Sequence, residues 1–419
     1  METRRYASSA KPLSSALVRL RSGFLLGIAL VLAAGGASGG ASGETLRAAV
    51  DRAASLDPLL RTLDARAGEV DANRLAASSA FPAPPSVGAS LRRDRPDRDL
   101  GRNEVEFEVG LPLWLPGQRA LRQRVSGDEG SERTVALVDA RLQVAGRVRE
   151  ALWQIAFDRI EEDAARRRLA TVERLVEDVG RRVVAGVLAR ADLLLARAEA
   201  AAARGALIEA GARVAQSMQA WRALVGDDAL PASWIEAPAQ SEESVHPSMA
   251  AALGQVDLAR SRLKLAVDAT RDPPEIGLQH RSDRDVFGAD YRNSVRVALR
   301  IPLATDARNQ PRIAVANTER VRAESAVLQL QRRIDADRAR AVAELDAARA
   351  QETNASGQLK DAAEHLALVR RAFELGEQSL VAMLRASALA DDAQVALERQ
   401  RTARDRAIAR SNQAAGVLP

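Results

Sequence analysis

Cysteine and histidine, the side chains readiest for covalent and acid–base chemistry at neutral pH, are absent or scarce in this 419-residue chain. There is no cysteine, which excludes disulfides, thiolate metal sites and a cysteine nucleophile. His246, His280 and His365 stand far apart in sequence, so a histidine-rich metal site is not expected. No glycine-rich phosphate loop, nucleophile motif or ligand cluster occurs, and the chain reads as a non-enzyme without cofactor or metal. What remains is patterned charge. Glu104, Glu106 and Glu108 alternate with Val105, Phe107 and Val109. Arg296 and Arg300 alternate with Val295, Val297 and Leu299. A period of two puts charge on one face of a strand and apolar side chains on the other. Carboxylates and guanidinia so placed can line water or pair across strands; they are not placed to hand a proton to a bound substrate.

Two settings suit such strands: a sheet packed on a core, or a barrel with lipid outside and water inside. Their length of about ten residues fits a strand that crosses a bilayer. Phe107, Trp114, Phe287 and Tyr291, several of the chain's few aromatics, lie in or beside them, where an interfacial girdle would fall. Four strands cannot close a barrel around an aqueous lumen, and lipid tolerates no open edge. If these strands are transmembrane, the barrel is shared among several chains.

The elements that position the strands come in two copies. Pro84-Pro85-Ser86-Val87-Gly88 and Leu111-Pro112-Leu113 are matched by Pro273-Pro274-Glu275-Ile276-Gly277 and Ile301-Pro302-Leu303, 189 to 190 residues later. Gly186 and Gly376 are also 190 residues apart. One offset shared by several anchors is the mark of an internal duplication. Each copy reads helix, strand, turn, strand, long helix, glycine break, long helix. The expected helices are Thr45–Ala80, Gln118–Ala185 and Ala189–Leu224, then Ser248–Thr270, Arg312–Leu375 and Ser379–Ala415. The strands fall within 85–114 and 274–303. Residues 44–226 form the first repeat and 248–419 the second. The Pro-, Ser- and acid-rich residues 227–247 connect them. Val327, Leu330, Ile334, Ala341, Leu345 and Ala348 step by threes, fours and a seven, the seam of a coiled coil. Hydrophobic residues make up 47% of the chain but aromatics only 3%, which suits narrow helix–helix seams better than a wide globular core.

Residues 1–43 read as an export signal. Arg19 and Arg21 precede an apolar run from Phe24 to Ala34 and a small-residue stretch with cleavage expected after Ser38 or near Ser42. The absence of cysteine argues against a lipoprotein. This segment also holds Arg4, Arg5, Lys11, Arg19 and Arg21 against Glu2, so most of the net charge of +5 belongs to it. The rest of the chain is nearly neutral and carries no basic stripe with interleaved aromatics, so nucleic acid is not an expected partner.

The duplication, the strand ends Leu111-Pro112-Leu113 and Ile301-Pro302-Leu303, the glycine-centred helix junctions and the helix-closing Ala223-Leu224-Val225-Gly226 together resemble the outer-membrane efflux protein family, TolC and its relatives. The resemblance spans about 44 to 415. It implies a mostly α fold with a small β part: four strands per chain in a trimeric barrel in the outer membrane, continued by helices across the periplasm. It implies a passive channel, a periplasmic adaptor and an inner-membrane pump as partners, and outer-membrane lipid around the barrel. The adaptor would meet the helix tips at Gly186, Val187, Leu188, Gly376 and Glu377. Within the barrel Glu104, Glu106, Glu108, Arg296 and Arg300 would face the lumen and could pair across strands. Val105, Phe107, Val109, Val295, Val297 and Leu299 would face lipid.

The family's periplasmic carboxylate rings have no counterpart at Ala382 and Arg385, so Asp192, six residues after Gly186, is the candidate gate. The string Pro112-Leu113-Trp114-Leu115-Pro116-Gly117-Gln118-Arg119 is loosely similar to the heavy-metal branch that works with RND-type pumps. Two alternatives stand beside efflux: the outer-membrane channel of type I protein secretion, and a periplasmic coiled-coil adaptor or scaffold.

Overall fold

The computed structural model describes residues 45–94, 100–239 and 245–419. The export segment at 1–43 and part of the inter-repeat connection therefore lie outside the described residues. The elements run α1 (Leu46–Leu56), α2 (Pro58–Ser78), β1 (Ser86–Arg93), β2 (Asn103–Pro112), α3 (Gln118–Val184), α4 (Arg190–Val225), α5 (Pro247–Asp268), β3 (Glu275–Arg284), β4 (Arg292–Arg300), α6 (Asp306–Glu374) and α7 (Leu380–Ala415). Apart from the short α1, the second half repeats the order of the first. Among the described residues no helix is long and apolar enough to cross a membrane.

Two helix boundaries differ from the sequence expectation. The stretch 45–80 is two helices, not one. Asp57 is held extended, with ψ 124°, as the residue before a proline must be, and its carboxylate accepts from the Leu60 N–H at 3.0 Å to cap α2. The helix expected from Arg312 begins at Asp306 instead, with Pro311 inside it. Proline costs that helix one backbone hydrogen bond but not its course.

The long helices α3 and α6 have 67 and 69 residues, about 100 Å each at ~1.5 Å per residue. Their register is set by small residues. On α6 the buried positions Ile334, Ala341, Ala348, Ala355 and Ala362 recur every seven residues. On α7 Ala386, Ala390, Ala393 and Leu397 step by four, three and four. Alanine at the seam lets the antiparallel backbones approach closely, while Arg, Asp and Glu hold the wet faces. The α3–α4 hairpin carries a similar row of Ala196, Ala200, Ala203 and Ala210.

Packing is concentrated in two zones along α3. Midway, Leu46, Val50, Leu60, Val144, Val148, Leu152 and Trp221 form the main core, where α1 and the ends of α2 and α4 meet α3. Trp221 is fully buried and its indole N–H donates to the Ala229 carbonyl. Near the glycine junctions, Val179, Ala196, Phe373, Leu380 and Met383 join the two hairpins. The buried Arg149 fastens the inter-repeat connection beside the main core. It donates to Glu236 at 2.8 Å, to Gln413 at 2.5 Å and to the Val417 carbonyl at 3.1 Å.

At the opposite end of α3 and α6 from these junctions lies one four-stranded antiparallel sheet, in the order β1-β2-β3-β4. The β2–β3 pairing joins the two repeats, from Asn103 opposite Arg284 to Pro112 opposite Glu275. The sheet does not close: β1 and β4 are its edges.

Candidate functional site

Register sorts the strand side chains into two faces. Arg92, Glu104, Asp283 and Arg292 lie level with one another, and Ser90, Glu106, Arg281 and Ser294 form the next row. Gly88, Glu108, Gln279 and Arg296 follow, and Glu275 pairs with Arg300 at the helix end. Side chains directly opposite share a face, so this whole set makes a polar face. The intervening residues make the other: Val87, Val109, Leu278 and Val297 in one row, Ala89, Phe107, His280 and Val295 in the next. Val295, Val297 and Leu299 are 69%, 72% and 62% exposed, so no helix among the described residues covers that face.

The polar face is knitted by a residue that the alternation in β2 and β4 does not reveal. Arg281 reaches Glu104 at 3.1 Å, Asp283 at 3.6 Å and Glu106 at 3.9 Å, and Glu104 is buried by it. Glu106 also accepts from Ser90 and Gln279. The expected pairing of the β2 glutamates with Arg296 and Arg300 does not form within the chain, because β3 lies between β2 and β4. Arg300 pairs with Glu275 at 3.6 Å, and Arg296 has only Gln279 opposite it. The signal for Arg281 was present in β3 itself, where Glu275, Gln279, Arg281 and Asp283 keep the polar phase.

Phe107 lies in a central row of the sheet, and the other three aromatics divide between its two ends. Trp114, at the helix end, donates its indole N–H to the Ser79 carbonyl and lies under Arg122. Phe287 and Tyr291, at the turn end, both lie under Arg284.

At the far ends of the hairpins, Gly186 and Gly376 take positive φ values of 74° and 80°. Each follows the last helical turn and lets the next N–H return to it: Val187 donates to the Arg182 carbonyl and Glu377 to that of Ala372. Nothing lies within 4 Å of where a Cβ would stand on either glycine. Val187 and Leu375 are 69% and 68% exposed beside them, so both tips are open and apolar. Asp192 has a structural task here. Its carboxylate accepts from the Ala189 N–H at 3.1 Å, closing the first turn of α4.

Sequence reasoning missed a third matched pair, at mid-length. Asp57-Pro58 and His246-Pro247 are 189 residues apart, and Gly226 and Gly416, which end α4 and α7 with φ 93° and 85°, are 190 apart. In the second repeat the helix that ends on Gly416 meets the one that starts on Pro247; in the first, Gly226 stands against Leu56, just before Asp57-Pro58. A Cβ on Gly416 would stand 2.8 Å from the His246 ring and 2.6 Å from Pro247, so only glycine fits that joint. His246 Nδ1 accepts from the Ser248 N–H. Burial, then the charge of Arg338, lowers its pKa against the opposing pull of Asp139. In the first repeat burial works against the Asp57 carboxylate. The N–H of Leu60 and the Arg147 guanidinium outweigh it and hold the pKa below the ordinary value. The shared offset was the signal that could have found this joint.

The sequence profile described as outer membrane efflux protein matches residues 49–227 and again 240–417. Among curated proteins none matches the chain in sequence. The fold is similar to that of VceC, an outer membrane protein of Vibrio cholerae, at 17% identity and TM-score 0.68, covering 89% of this chain and 96% of that one. It is similar to the CmeC outer membrane channel of Campylobacter jejuni, at 15% identity and TM-score 0.71, covering 89% and 86%. It is also similar to the open state of the MtrE outer membrane channel of Neisseria gonorrhoeae, at 19% identity and TM-score 0.68, covering 89% of each chain.

Proposed function

This chain belongs to the outer membrane efflux protein family and is an outer-membrane efflux channel subunit, and from that premise we propose that three copies share one twelve-stranded barrel. The observation that carries a shared barrel is the sheet itself; the number three follows from the resemblance to the family. It has two faces of opposite character, an apolar face left bare, and two open edges. In lipid each unpaired backbone group at an edge costs several kcal/mol, so β4 of one copy must pair with β1 of the next. The strands alternate in direction, so that contact is antiparallel like the others.

In this reading the polar face, with Glu104, Glu106, Glu108, Arg296 and Arg300, turns to the lumen. Val105, Phe107, Val109, Val295, Val297 and Leu299 turn to lipid. The reverse placement would put arginines in hydrocarbon at about 2–4 kcal/mol each near the midplane. The helices carry the passage on through the periplasm. A periplasmic adaptor meets the open tips at Gly186, Val187, Leu188, Gly376 and Glu377, where the bare glycines admit a partner backbone. An inner-membrane pump of the RND type loads the channel. The likeness of Pro112–Arg119 to that branch supports the pump class. Asp192, if it narrows the entrance, does so from a carboxylate already engaged as a helix cap.

Native mass spectrometry of the processed protein, extracted from outer membranes in mild detergent, tests the assembly. A mass three times that of the mature chain is expected. A water-soluble monomer or dimer in the periplasmic fraction overturns the shared barrel. The tips are tested separately: Val187→Glu with Leu375→Glu should abolish efflux while the trimer forms normally.

A further inference from the structure

Charge on the apolar face of the sheet gathers at one rim. Among the described strand residues of that face the arginines are Arg93 and Arg284, and there is no acid. Both lie at the turn end, away from the helices, in one row with Asn103 between them. Two strand spacings of ~4.8 Å put their backbones roughly 10 Å apart. Arg284 is held in place: its Nε donates to the Gly101 carbonyl at 3.1 Å, and its guanidinium lies 5.7 Å and 5.2 Å from the ring centres of Phe287 and Tyr291. The Tyr291 hydroxyl is in turn fixed by the Asn103 amide at 2.9 Å. The Arg93 side chain is exposed and makes no ion pair or hydrogen bond among the described residues. Among the described residues the nearby acids are engaged elsewhere: Asp94 accepts from the Leu100 N–H and Asp285 pairs with Arg292, which leaves Asp290 in the turn.

We propose that this rim is a binding site for the phosphates of an anionic lipid headgroup in the leaflet away from the periplasm. The proposal rests on the barrel reading above. At the border of an apolar band, hydrocarbon gives way to headgroups, and aromatic side chains settle there. A guanidinium offers phosphate two parallel donors, and one already stacked on aromatic rings loses little freedom on binding. Two arginines in a row suit a headgroup with two phosphates, so the occupant is a phosphorylated glycolipid rather than a zwitterionic phospholipid. The apolar rows below would take its acyl chains.

The full-length processed protein in mild detergent, titrated with lipid A, phosphatidylglycerol, phosphatidylethanolamine or inorganic phosphate, tests this by native mass spectrometry. Wild type should retain lipid A best. Arg93→Gln and Arg284→Gln should each weaken it about fivefold, as expected for one charge at a membrane surface. Arg93→Gln makes the test independent of folding, since the Arg93 side chain holds nothing among the described residues. Equal weakening of phosphatidylglycerol would still support a headgroup-phosphate site but would remove the preference for a glycolipid. Unchanged lipid A binding in both variants, or binding of inorganic phosphate as tight as lipid A, overturns the proposal. If Arg296→Gln on the polar face loses lipid while Arg93→Gln does not, the assignment of faces has failed instead.

Discussion

Asp57 and His246 each cap a helix that begins at proline, but as different acceptors. His246 must be neutral for Nδ1 to accept from Ser248. Its folded pKa is below the ordinary histidine value of 6.5, so the unfolded chain takes up the proton first. The stability from this joint is therefore intact above pH 6.5 and declines as pH falls through it. For Asp57 the folded pKa lies below the ordinary carboxyl value of 3.8, so its contribution is lost only under stronger acid. Thermal melts between pH 7.5 and 5.5 should show the melting temperature falling in wild type, with a shallower slope in His246→Asp. An unchanged slope would mean that His246 does not set the pH dependence. Arg149 is the other residue on which much depends. Replacing it by Ala leaves the partly buried Glu236 carboxylate with only the Asn412 amide and should cost about 3 kcal/mol in denaturant unfolding. Arg166→Ala, which removes an exposed pair with Glu162, should cost no more than about 0.5 kcal/mol.

The hairpins depend on small residues at regular intervals. Ala355 lies in the seven-residue seam of α6, where a longer side chain has no room. Ala355→Leu should destabilise by about 1–3 kcal/mol through overpacking, read from thermal unfolding. Gly376 answers a different constraint. Space beside it is open, and only its positive φ resists a side chain. Gly376→Ala should therefore cost on the order of 1 kcal/mol in stability. Any larger effect on efflux than on stability would locate a partner at the tip. The period of the helices was legible because seam positions are fixed by spacing along one chain. The break at Asp57-Pro58 was not, because the apolar pattern runs on across it and only the proline marks it.

For the whole molecule, the faces of the sheet govern whether it can enter a bilayer. Val297→Arg places a charge in the middle of the apolar face and should cost about 2–4 kcal/mol, lowering the yield of trimer in outer-membrane fractions. Ala298→Asp, one residue on and facing the polar side, should insert normally. Equal losses from both would contradict the two-faced sheet.

The sequence by itself determined the duplication, the alternation in β2 and β4, the helix seams and the tip glycines. Each is a pattern among residues close in the chain, or a copy of one at a fixed offset. Tertiary structure alone decided which strands meet and in what register. The β2–β3 pairing brings Glu104 to Arg281, 177 positions away, and leaves Arg296 without the glutamate that alternation seemed to offer it. Local periodicity sets the face a side chain takes. Its partner depends on how distant segments align, and that alignment is fixed only when the backbone hydrogen bonds and both faces of the sheet are satisfied together.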